Sequence, residues 1–172
     1  RVVIATGSRP LVPPIDGLEA AEYLTSREAL YLEEPPESMV VLGGGYIAVE
    51  LGYAFESLGT DVSIVEMEDT LVPREDPEVA EAFTAVAAER HEVYTGYWVT
   101  AVEAGSPPES ATVHAERESG ETVDIEGEQL LVALGRRPNS DRLNLGATSV
   151  ETDDRGFVKT DAQLRTTAEG VW

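Results

Sequence analysis

The chain has 172 residues, 42% of them apolar, which is enough for one sizeable core and far from the composition of a disordered segment. Thirty-three acids against twelve bases give a net charge of −21, which argues against a nucleic acid or an anionic membrane as partner, because like charges repel. There is no cysteine for a disulfide scaffold or thiol chemistry, the two isolated histidines His91 and His114 argue against a metal site, and no run approaches the ~20 apolar residues of a membrane span, so a cytoplasmic location is expected.

In chain order, "RVVIATG" is a β-branched run ending at Gly7 and predicts a strand over 1–7. The proline-rich stretch 9–23 reads as irregular. Thr25 followed three residues later by Glu28 is a capping box and predicts a short helix over 25–32. "MVVLG" (39–43) has no polar alternation and predicts a strand buried on both faces. From 45 to 58 the apolar residues Ala48, Leu51, Phe55 and Leu58 recur at helical spacing, and Gly59 stops the helix. "DVSIVE" (61–66) is a second strand. Asp76 and Pro77 form an N-cap and first helical position for a helix running to about His91, and "EVYTG" (92–96) is a third strand.

The rhythm then changes. Short alternating runs in 97–127, separated by the turns "SPPE" and "SGE", predict an antiparallel meander. A buried strand returns at 128–135, and after "RRPNSD" the pattern weakens until "RGFVKTD" (155–161). The order β-α-β-α-β, meander, β defines an α/β class with a largely parallel sheet.

Gly43, Gly45 and Ala48 form G-x-G-x-x-A directly after a predicted strand and opening a predicted helix. The first glycine permits the tight turn, the second lets a pyrophosphate approach the backbone, and the third small residue lets helix and strand pack closely. Free N–H groups and the helix dipole then favour phosphate. A plain tight strand–helix turn would need the same small residues. Glu66, however, ends the second strand 18 residues after Ala48, near the ~20 expected for the acid that holds the adenosine ribose. A carboxylate there accepts from both ribose hydroxyls and repels a 2′-phosphate, so it selects NAD(H), and Glu66→Arg is expected to shift preference toward NADPH. Arg74, a little further on, is the one base that would suit a phosphate, and an ordinary strand-end acid is the alternative for Glu66.

"GGGYIAVELG", together with "ATGSRP" (5–10) and "ALGRRPN" (133–139), resembles the flavoprotein disulfide reductases, specifically their central nicotinamide-binding domain. The resemblance runs from end to end. It implies a Rossmann-like nicotinamide-binding domain over 13–149, flanked by pieces of the flavin domain at 1–12 and 150–172. Both ends, Arg1 without a preceding methionine and the apolar phrase "EGVW", look cut. The resemblance also implies site residues. Gly43, Gly44, Gly45 and Ile47 belong to the cofactor turn, with Glu66 as the ribose acid. Tyr46 matches a gate over the flavin, and Glu50 matches an acid that pairs with a lysine near the flavin N5, so these two are the catalytic positions. Val99 and Gly135 match positions lining the adenosine and nicotinamide halves, and Thr6, Gly7 and Ser8 match a flavin-contacting turn. Arg136 and Arg137 have the ordinary reading of surface charges on a tight turn.

The redox dithiol, the lysine, most of the FAD site and the dimerisation domain of such enzymes have no counterpart in these residues. The expectation is a segment that binds NAD(H) weakly, carries no FAD or metal, has no activity alone, and belongs to a homodimeric enzyme most like dihydrolipoamide dehydrogenase. An NADPH-dependent low-molecular-weight disulfide reductase or mercuric reductase is the alternative, and a stand-alone nucleotide-sensing module is the alternative of another class. The flanks "VVIA" and "FVKTD" are expected as strands that pair with each other or with a neighbouring chain.

The acids lie between apolar positions in every segment rather than in blocks, and Lys159 is the single lysine. Lysine depletion with dispersed carboxylates suits a surface kept hydrated in concentrated salt, so a halophilic source is expected; a merely acidic protein is the alternative. Melting followed from low to multimolar KCl is expected to give a rising transition temperature, and a flat or falling trend would remove the salt-adapted reading.

Overall fold

The unbroken apolar run at 39–42 needs cover on two sides, and the computed structural model, which describes residues 1–105 and 111–172, supplies it. Contacts divide the chain into two units, Val12–Gly135 and a second built from Arg1–Leu11 with Arg136–Trp172.

In the larger unit a parallel sheet has the order β2 (Tyr23–Leu24), β9 (Gln129–Val132), β3 (Ser38–Leu42), β4 (Asp61–Glu66), β5 (Glu92–Thr95). Side chains alternate between its faces. Met39 and Val41 of β3, Val62 and Ile64 of β4 and Leu131 of β9 join one core with Ala48 and Phe55 of helix α2 (Tyr46–Ser57) and Ala87 of α3 (Pro77–Ala87). Val40, Leu42, Val65, Leu130 and Val132 point the other way. There they meet Val102, Val113, Ala115 and Ile125 from an antiparallel meander of β6 (Tyr97–Ala104), β7 (Ala111–Arg117) and β8 (Thr122–Gly127). The meander thus occupies the layer that crossover helices fill in an all-βαβ sheet, and this is why the run Met39–Leu42 of β3 carries no polar alternation. The expected turn "SPPE" lies outside the described residues.

Local rules account for most element ends. The side chains of Thr25 and Glu28 close a reciprocal capping box on α1 (Ser26–Ala29). Asp76 caps α3 through the Glu78 N–H at 3.1 Å, with Pro77 at the first helical position. Several ends differ from expectation, among them that of the strand predicted over 128–135, which spans Gln129–Val132 as β9. Helix α1 stops at Ala29. Helix α3 stops at Ala87, and one further turn follows it, in which the Arg90 and His91 N–H groups both donate to the Ala87 carbonyl at 3.0 and 2.9 Å. The first strand is β1 (Ser8–Pro10) rather than 1–7, because its partner β10 (Arg136–Pro138) sets its extent.

In the smaller unit β1 and β10 pair antiparallel, with Arg9 opposite Arg137. Arg9 grips Asp141 in a two-pronged contact at 2.5 and 3.0 Å, holding that carboxyl below the usual carboxylate range. The chain ends meet through a parallel bridge between Val2 and Val171, with hydrogen bonds from Val2 N–H to Gly170 and from Trp172 N–H to Val2, each 2.9 Å. The stretch "FVKTD" forms no continuous strand. Its backbone takes part in single bridges, Thr152–Val158 and Thr160–Thr166, because turns at 153–157 and 161–165 fold each neighbour back at once.

Leu131 on β9, an interior strand of the sheet, has no exposed surface and faces α2 and α3. Leu131→Ala is expected to lower the unfolding free energy by about 2–5 kcal/mol, measured by urea titration followed by circular dichroism.

Candidate functional site

The glycine turn leaves the C-terminal end of β3, where β9 lies on one side and β4 on the other. Sequence-adjacent elements depart to opposite sides of β3 here, so the sheet opens a crevice at its carboxyl edge. The peptide joining Leu42 to Gly43 continues the ladder on both sides, since the Gly43 N–H donates to the Val65 carbonyl at 2.7 Å and the Leu42 carbonyl accepts the Ala133 N–H at 2.9 Å. The φ of Gly43 is +103°, and a Cβ would lie 2.7 Å from the Ala133 carbonyl oxygen, so only glycine fits.

Gly44 is fixed from the β4 side. Its N–H donates to Glu66 Oε2 at 2.5 Å, while Glu66 Oε1 accepts the Glu68 N–H at 2.9 Å. A Cβ on Gly44 would fall 2.7 Å from Leu71 and 2.9 Å from Glu66, so the side chains that brace the turn exclude any other residue. Gly45 is different. It is the N-cap of α2 with ordinary dihedrals, no side chain caps the helix, and a Cβ there would meet nothing within 4 Å. Closed on two sides at Gly43 and Gly44 and open at Gly45, the turn has the shape an incoming pyrophosphate requires, with the first helical amides unpartnered by geometry. Ala48, with no exposed surface, lets α2 sit against the sheet.

Glu66 is 8% exposed. An ionised carboxylate offers about four acceptor positions, two of which the backbone uses, leaving capacity for ribose hydroxyls. The acid is therefore also a brace. An arginine at 66 would leave the Gly44 and Glu68 amides without an acceptor in a closely packed place, so Glu66→Arg damages the turn as well as the charge, and Glu66→Gln is the cleaner probe.

Tyr46 opens α2 and is 61% exposed, and Ile47 beside it is half-buried. Glu50 lies one turn on, exposed at the rim of an apolar groove lined by Tyr53, Phe83 and Val86, and forms no ion pair among the described residues. Val99 on β6 is half-buried against the meander-side core, next to a register shift between Val99 and Ala101. Gly135 follows β9, exposed, with φ +121°. The structure thus joins Gly43, Gly44 and Glu66 by direct contact, with Gly45, Tyr46 and Ile47 continuing from the same turn.

Thr6, Gly7 and Ser8 belong to the smaller unit. There the two flanking phrases grip each other: Arg136 donates to Ser8 Oγ and to the Ser8 carbonyl, both at 2.7 Å, and Asn139 donates to the carbonyls of Thr6 (2.9 Å) and Gly7 (3.0 Å). Arg136 is thus a fastener of this turn, and Arg137 lies 3.3 Å from Asp141. Among the described residues no cluster of His, Asp and Glu could hold a metal, and no helix is long and apolar enough to cross a membrane.

Sequence reasoning missed the loop after β4. Leu71 is fully buried, its N–H donates to Thr84 Oγ1 of α3 at 2.9 Å, and Val72 donates to the Gly44 carbonyl at 2.7 Å. No turn signature marks Val72, so nothing in the residue pattern pointed there.

A glycine turn at the carboxyl edge of a parallel sheet, with an acid at the end of the next strand, defines a Rossmann-like α/β fold. The chain belongs to the pyridine nucleotide-disulphide oxidoreductase family, which it matches over residues 1–172. It is 39% identical to a mercuric reductase of Staphylococcus aureus over 171 residues, covering 99% of this chain and 31% of that protein. It is 38% identical to a dihydrolipoyl dehydrogenase of Halobacterium salinarum over 170 residues, covering 99% of this chain and 36% of that protein. Among solved structures, the HOCl-induced flavoprotein disulfide reductase RclA from Escherichia coli superposes with a TM-score of 0.84 at 29% identity, over 99% of this chain and 38% of that one. The chain therefore spans about a third of the length of these relatives.

The glycines separate by experiment. Gly43→Ala is expected to cost about 1–3 kcal/mol of stability through its strained dihedral and the Ala133 carbonyl, whereas Gly45→Ala is expected to stay within about 1 kcal/mol of the parent, both read from urea midpoints.

Proposed function

We propose that this chain is the NAD(H)-binding segment of a flavin-dependent disulfide oxidoreductase of the dihydrolipoamide dehydrogenase kind, from a salt-adapted cytoplasm. One observation carries the reading: the carboxylate of Glu66 is fixed against the glycine turn by two backbone N–H groups and keeps acceptor capacity beyond them. The family supports the nicotinamide and flavin chemistry, and the relatives' greater length supports further domains of the same protein, including a flavin domain to which 1–12 and 150–172 would belong and a dimerisation domain.

When bound, the nicotinamide carries a hydride to or from the flavin of the longer protein. The residues of this chain bind and orient. Gly45 and the first amides of α2 receive the pyrophosphate, and Glu66 takes the adenosine ribose, with Val99 and Gly135 beside the two halves of the cofactor. Tyr46, exposed at the start of α2, shields the flavin face until the nicotinamide displaces it. Glu50, without an ion-pair partner among the described residues, holds the lysine of the flavin domain. Thr6, Gly7 and Ser8 contribute one turn to the FAD site, so this chain alone would hold no flavin and show no diaphorase activity.

The 39% identity to a mercuric reductase favours a second reading, a reductase of small disulfides or of mercuric ion working with NADPH. The buried acid beside the glycine turn speaks against a 2′-phosphate in that place.

Titration calorimetry of this chain is expected to give tighter binding of NADH than of NADPH. Glu66→Gln, which removes the charge and turns an NH2 group toward a backbone donor, is expected to weaken NADH by about tenfold and narrow the preference. Gly45→Ala is expected to weaken both nucleotides while leaving the fold intact. A chain that binds the two nucleotides equally, or a Glu66→Gln variant that keeps the full NADH preference, would remove Glu66 as the selector.

A further inference from the structure

Val72 combines two features that oppose each other. It is β-branched and it precedes Pro73, yet its φ is +47°, the left-handed region that a branched side chain avoids and that a following proline disfavours further. Such a conformation is strained and persists only where surrounding contacts over-determine it. Here they do. Leu71, the residue before it, is buried and held by Thr84 Oγ1 of α3, whose hydroxyl in turn donates to the Ala80 carbonyl at 2.7 Å. The residues after it turn back, with the Glu75 N–H on the Val72 carbonyl at 3.0 Å. The result is that the Val72 N–H is aimed at the Gly44 carbonyl, 2.7 Å away.

The target of that hydrogen bond matters. In a trans peptide the carbonyl of one residue and the N–H of the next point in opposite directions within one plane. With the Gly44 carbonyl turned toward Val72, the Gly45 N–H points away from the loop. Among the described residues it has no acceptor, and Gly45 borders open space. Glu66 fixes the peptide plane before Gly44 through the Gly44 N–H, and Val72 fixes the plane after it through the carbonyl.

We infer that Val72 is a positioning residue for phosphate recognition: its strained backbone locks the Gly44–Gly45 peptide so that the Gly45 N–H is presented to the pyrophosphate before any nucleotide arrives. The inference rests on the nucleotide reading given above and adds to it a residue outside the glycine motif, acting through backbone alone. An unlocked peptide would rotate, and ordering it would be charged against binding of the phosphates but not against binding of the base and ribose.

The decisive variant replaces the Val72 amide by an ester, which deletes the N–H and keeps the side chain. NMR titrations with NADH, ADP-ribose and adenosine read the outcome. NADH and ADP-ribose are expected to weaken by about tenfold, with adenosine changing by less than about twofold, since adenosine has no phosphate to feel the Gly45 amide. A merely structural role would weaken all three together, and that result, or an unchanged affinity for ADP-ribose, overturns the inference while leaving the nucleotide reading standing. A parent chain that binds neither NADH nor ADP-ribose removes the nucleotide reading and this inference with it. Should the ester variant not fold, amide exchange in the parent decides. The Val72 amide is expected to be protected in the free chain and the Gly45 amide to become protected only on adding ADP-ribose; a Val72 amide that exchanges freely without ligand overturns the lock.

Discussion

The carboxylate of Glu66, accepting one N–H from Gly44 and one from Glu68, is the contact on which the rest of the site depends. It ties the turn after β3 to the end of β4 through side chain and backbone at once, in a place too crowded for any residue but glycine at 44. Hydrogen bonds to an ionised acceptor contribute on the order of 1.5–3 kcal/mol each, so the acid is worth keeping for the fold irrespective of ligand. Structural and selective demands therefore fall on the same two oxygens, and a change that alters nucleotide preference acts on the turn as well.

That arrangement stands on a sheet with both faces covered by different materials. Helices α2 and α3 close one face and a three-stranded meander closes the other, so Val40, Leu42 and Val65 are as buried as Val41 and Ile64. Because the strands are held on both sides, the ends of β3, β4 and β9 keep their spacing. The turn between them is then defined by close packing rather than by its own residues alone.

How much of this was legible follows from the range of the forces involved. The G-x-G-x-x-A turn, the capping box of Thr25 and Glu28, and the Asp76–Pro77 start of α3 are governed by neighbours within a few residues, and the pattern displays them. Strand β2 is two residues long and pairs with β9 more than a hundred residues later, so no local signal announces it. The β-branching of 1–7 suggested a strand, but pairing with β10 moved it to Ser8–Pro10. Of the site, Gly43 and Glu66 could be placed by spacing, whereas the bracing role of Glu66 could not, since it depends on how deeply the acid is buried. Val72 was invisible for a stronger reason: its dihedral contradicts what its residue type prefers.

The strand order β2-β9-β3 also constrains how the molecule is made. Strand β2 precedes β3 by fourteen residues but does not touch it in the ladder; β9 lies between them and is synthesised last of the five. Until β9 inserts, β3 has one naked edge and β2 has no partner at all. The half made of β3, α2, β4, α3 and β5 is free to form early from short-range contacts, but the sheet is closed at its middle rather than at its rim. Loop closure over such a distance is slow relative to local pairing. The exposed edge of β3, apolar on both faces, is consequently the surface on which a nascent or partly unfolded chain would capture a foreign strand.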